Sequence, residues 1–151
     1  MPNIPSGIPN HSIRDYWAHN LQKFPNKTAV FYEGQSYTFA QCDELIENAR
    51  SHLVHKLGLA KGQTVAMAMP NCFEFYVAYW AVIKQGGVVV PVNIRLEVDG
   101  MKHVIGNSDG ATLIAHSDNW DTIAAAAKLC DNIQHIINYL KRQTYCPSII
   151  G

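Results

Sequence analysis

Between Thr64 and Pro91 two short apolar runs, T-V-A-M-A-M and V-V-V-P, enclose a longer one, and no other stretch limits the fold so closely. From Phe75 to Ile83 every residue is apolar or aromatic. Nine such residues are too few to cross a bilayer, which takes about 20, and Lys84-Gln85-Gly86-Gly87 closes the run. A helix apolar on all sides belongs inside a soluble protein. Flanked by Gly- and Pro-bounded runs of strand length, it reads as a strand, helix, strand unit over about 30 residues, with parallel strands and a right-handed crossover.

The preceding segments supply local start and stop signals. Ser12-Ile13-Arg14-Asp15 forms a capping box, and Ile13, Trp17, Leu21 and Phe24 recur at helical spacing, so a helix is expected from Ser12 to Phe24, ended by Pro25-Asn26. Thr28–Tyr32 and Gln35–Thr38 flank Glu33-Gly34 and read as a hairpin of edge strands. Thr38 to Gln41 fits a second capping box, followed by one apolar stripe of Cys42, Leu45, Ile46, Ala49, Leu53 and Leu57, with Gly58 as C-cap. Asn71 is the expected cap of the apolar helix. A second, weaker cycle follows: helix from Val98 to Asn107, strand 111–115, helix from Trp120 to Cys130, strand 133–137. After Asn138 no periodicity is sustained, and Pro147 argues against a terminal helix. The expected architecture is α/β, a partly parallel sheet flanked by helices with an N-terminal hairpin.

Composition removes several function classes. The 151 residues are 48% hydrophobic and 16% charged, with a formal net charge of zero, which gives no basis for a nucleic-acid partner or a membrane-surface binder. Cys42, Cys72, Cys130 and Cys146 are widely spaced without a C-x-x-C pair, and MPNIPSGIPNHS lacks the regions of a secretion signal, so reduced thiols and a cytoplasmic location are expected. Cys42 and Cys72 fall within helical apolar patterns and read as small buried hydrophobes. His52 and His55 stand one helical turn apart, but no further ligand completes a metal set, so they read as surface residues. Gly58-x-x-x-Gly62 and Gly106-x-x-x-Gly110 match neither a dinucleotide fingerprint nor a P-loop and read as turns.

One ordered set of features runs from Phe24 to Leu96: Pro25 with Ala29, Tyr37-Thr38-Phe39 with Glu44-Leu45, Gly58 through Val65, Asn71 with Glu74-Phe75, and Ala81 through Asn93 ending G-G-V-V-V-P-V-N. As a set it resembles the opening of adenylate-forming acyl-CoA synthetases, and N-I-R-L, with Arg95 and Leu96, is similar to their fatty-acyl branch. The resemblance implies that residues 1–138 are part of the large N-terminal domain of such an enzyme, with 139–151 an irregular tail. It implies a parent that uses ATP, Mg2+ and CoA to activate a carboxylic acid through an acyl-adenylate. The family's Ser/Thr/Gly-rich phosphate loop, its Tyr-Gly-x-Thr-Glu segment, its ribose-binding Asp and its mobile-domain Lys do not occur between Met1 and Gly151. The expectation is therefore an inactive fragment without catalytic, cofactor or metal residues of its own. Its partner is the remainder of the polypeptide, and its uncovered apolar surface favours self-association. Asn93 and Arg95, after a strand's carboxyl end, are the two candidates for contact with a ligand. The alternatives are a non-catalytic binding module with the same fold, and an unrelated small nucleotide-binding protein that holds ATP or a dinucleotide tightly.

Overall fold

The structure is a computed structural model and describes residues 12–139. Helix α1 (Ile13–Lys23) starts at Ser12, whose Oγ accepts from Asp15 N at 3.4 Å while Asp15 Oδ2 accepts from Ser12 N at 2.9 Å. Strands β1 (Thr28–Tyr32) and β2 (Gln35–Thr38) pair antiparallel around Glu33 and Gly34, at φ 47° and 80°, the left-handed pair that a tight hairpin requires. The hairpin forms a sheet of its own and is not an edge of the larger one. Its aromatic side explains why: Tyr37 stacks on Phe73 with ring centroids 4.0 Å apart, so helices, not strands, cover it.

Helix α2 (Phe39–Leu57) begins at the capping box of Thr38 and Gln41 and ends at Gly58, φ 67°. Its stripe is buried at Cys42, Ile46, Ala49 and Leu53. Seven elements alternate after it: β3 (Thr64–Ala68), α3 (Phe73–Gln85), β4 (Val88–Pro91), α4 (Val98–Gly106), β5 (Thr112–His116), α5 (Trp120–Lys128) and β6 (His135–Tyr139). The strand expected at 133–137 thus begins two residues later and runs to Tyr139; the rest of the expected tail lies outside the described residues. Asn71 is exposed and is not the cap of α3. The cap is Cys72, one residue on, with its Sγ accepting from Phe75 N at 3.4 Å.

All four strands of the main sheet are parallel, in the order β4-β3-β5-β6. Because side chains alternate across a strand, β3 divides its residues between two cores. Val65, Met67 and Met69 join α1, α2 and α3 on one face, while Ala66 and Ala68 join Met101, Ile105, Ile123 and Ala126 of α4 and α5 on the other. Both strand faces are covered, as continuous apolar strands require. Of the three crossovers, the first and last leave in opposite directions: α3 carries β3 to β4 over one face, and α5 carries β5 to β6 over the other, while α4 carries β4 past β3 to β5. The topological switch point lies between the carboxyl ends of β3 and β5.

A polar belt fastens the helices of the first face. Asp43 on α2 accepts from Trp17 on α1 and from Lys84 on α3. Lys84 also pairs with Glu47, Glu47 with Arg50, and Arg50 Nη1 with Gln85 Oε1 at 3.0 Å. Among the described residues no helix is long and apolar enough to cross a membrane.

Candidate functional site at the carboxyl edge of the parallel sheet

In open α/β sheets ligands gather outside the carboxyl ends of the strands at the switch point. Three loops meet there: 69–72 after β3, 92–97 after β4 and 117–119 after β5. Because β4 and β5 flank β3, the second and third loops face each other across its end.

The two candidates from the sequence lie in the second loop, and both are exposed. Asn93 Oδ1 accepts from Arg95 N at 3.0 Å, and Asn93 O accepts from Leu96 N at 3.2 Å. Asn93 therefore shapes its own loop, as a side chain that closes a local turn does, and Arg95 projects from that turn. Arg95 carries the only positive charge of Lys or Arg in the three loops.

Sequence reasoning missed the third loop. His116 ends β5 with 2% of its surface exposed. Asp118 N donates to His116 Nδ1 at 3.0 Å, which places the proton of the neutral ring on Nε2. Asp118 Oδ1 lies 3.4 Å from the same Nδ1, but that nitrogen cannot accept from the backbone and donate to the carboxylate at once; the shorter backbone bond decides, and the Asp118 side chain is 65% exposed to water. Asn119 sits at φ 67°, a left-handed conformation, and gives its helix no side-chain cap. Its Nδ2 instead donates to Ile94 O at 2.6 Å, joining the third loop to the second across the end of β3. A polar residue closing the apolar run A-T-L-I-A-H was the one available signal.

The electrostatics limit what this edge can hold. Helices α3, α4 and α5 point their N-termini toward it, and each has an acidic residue in its first turn: Glu74, Asp99 and Asp121. These carboxylates already complement the helix dipoles and oppose an incoming polyanion. The three loops together supply one guanidinium, that of Arg95, and no glycine.

Elsewhere, His52 is half-buried and His55 exposed on α2; burial and then the Lys56 charge hold His52 below its ordinary value. Among the described residues no three His, Cys, Asp or Glu side chains converge as a metal site would need. Two open clefts lie outside the three loops. One, of about 410 Å³, is lined by Arg14, Trp17 and Lys84, and one of about 640 Å³ by Lys102, His103 and Asn132.

Comparison with known proteins decides the family. The family described as AMP-binding enzyme matches residues 17–146. The chain belongs to it. Within the AMP-binding enzymes it is a member of the adenylate-forming acyl-CoA synthetases, matched over their N-terminal portion. A crotonobetaine/carnitine–CoA ligase of Salmonella paratyphi A is 29% identical over 112 residues, covering 71% of this chain and 22% of that protein. An oxalate–CoA ligase of Arabidopsis thaliana is 32% identical over 117 residues, covering 76% of this chain and 22% of that protein. Among solved structures, a fatty acyl CoA synthetase of Mycobacterium tuberculosis superposes with a TM-score of 0.73 at 26% identity, over 82% of this chain and 25% of that one. The chain thus spans about 22% of the length of these curated relatives.

Proposed function

We propose that the chain is the opening α/β layer of an ATP-dependent acid–CoA ligase, which joins a carboxylic acid to CoA through an acyl-adenylate with release of AMP and diphosphate. The observation that carries this reading is the family match over residues 17–146, across a parallel sheet wound in both directions from one switch point. ATP, Mg2+ and most of the acid pocket then belong to further polypeptide, and the 151 residues alone do not turn over. N-I-R-L and the likeness to a fatty acyl CoA synthetase support a fatty or related acid as substrate. A cytoplasmic location goes with this reading.

Two features support a covering partner from the same polypeptide. Among the described residues strand β6 is an edge of the sheet, with Ile136 44% exposed on it. Asn138 Oδ1 on the same strand is buried with no hydrogen-bond partner among the described residues, a cost of about 1–3 kcal/mol until a donor reaches it. The isolated chain is accordingly expected to self-associate, whereas a free-standing binding module of this fold would stay monomeric in light scattering.

The test is thioester formation by the native gene product, followed by mass spectrometry with fatty, small dicarboxylic and aromatic acids in turn. CoA thioesters formed fastest from fatty acids are expected. No thioester from any acid would overturn the ligase reading, and a preference for a small or aromatic acid would overturn the fatty-acid part alone.

A further inference from the structure

We draw no further inference here: the strongest candidate, the open cleft of about 410 Å³ between α1 and α3 lined by Arg14, Trp17, Leu21 and Lys84, already has its indole and ammonium groups held by Asp43, and nothing in the structure shows what covers it.

Discussion

Trp17 Nε1 donates to Asp43 Oδ1 at 2.6 Å, and Lys84 Nζ reaches the same oxygen at 2.7 Å. One carboxylate oxygen therefore fastens α1 and α3 to α2. Trp17 is 4% exposed, so removing its acceptor strands a buried N–H. Asp43→Ala is expected to lower stability by about 1–3 kcal/mol, read as a lower urea midpoint at unchanged slope. Asp43→Asn, which keeps an oxygen for the indole, should lose less.

The same belt sets an acid limb of stability. At Glu47, burial by itself raises the carboxyl, but hydrogen bonds and charge from Arg50 and Lys84 outweigh it and hold the group below its ordinary value. A group depressed in the folded state stabilises at pH above its unfolded value, and that contribution is lost as pH falls through the folded value. Stability should therefore fall on acidification below the carboxylate range, and Glu47→Gln should flatten that fall. The effect is modest, because the Glu47 side chain is 37% exposed. Parallel pH profiles of the two proteins would contradict it.

Burial pushes the thiols of Cys42 and Cys72 up to about 11. For Cys72 the Glu74 charge adds to burial, and the N–H of Phe75 opposes it. Relative to an ordinary thiol at 9.0, the thiolate population near pH 8 drops roughly a hundredfold. Alkylation by iodoacetamide in the native state should be slower than in denaturant by at least that order. Equal rates at Cys72 in the two states would contradict the packing described here.

Gly106 and Gly110 differ, although the sequence presents them as a pair of turn residues. A Cβ on Gly110 would stand 2.8 Å from the backbone oxygen of Thr64, whereas one on Gly106 meets only Cys130 Sγ at 3.8 Å. Gly110→Ala is expected to destabilise by about 1–3 kcal/mol through forced backbone movement. Gly106→Ala, in the last turn of α4, should be neutral or stabilise by up to about 1 kcal/mol. Thermal midpoints of the two variants read the contrast.

Local signals made much of this fold legible. The capping boxes at Ser12 and Thr38, the Glu33-Gly34 turn and the Gly58 stop each act within four residues, and each stands where the sequence places it. A thiol is a weak acceptor, which is why the sequence pointed to Asn71 as the cap of α3 and not to Cys72, where it stands. Strand order, the separate hairpin sheet and the Asn119 hydrogen bond between loops were not legible. They depend on partners far apart in the chain, as with Asn119 and Ile94, 25 residues apart. Of the candidate site, Asn93 and Arg95 were readable from their place after an apolar run; His116 and Asn119 needed the fold to bring them there.

The most direct test of the central claim is exchange of labelled diphosphate into ATP by the native gene product. The account predicts exchange that requires both a carboxylic acid and Mg2+, and none from residues 1–151 alone. Absence of exchange with every carboxylic acid offered, from a folded native product, would contradict it.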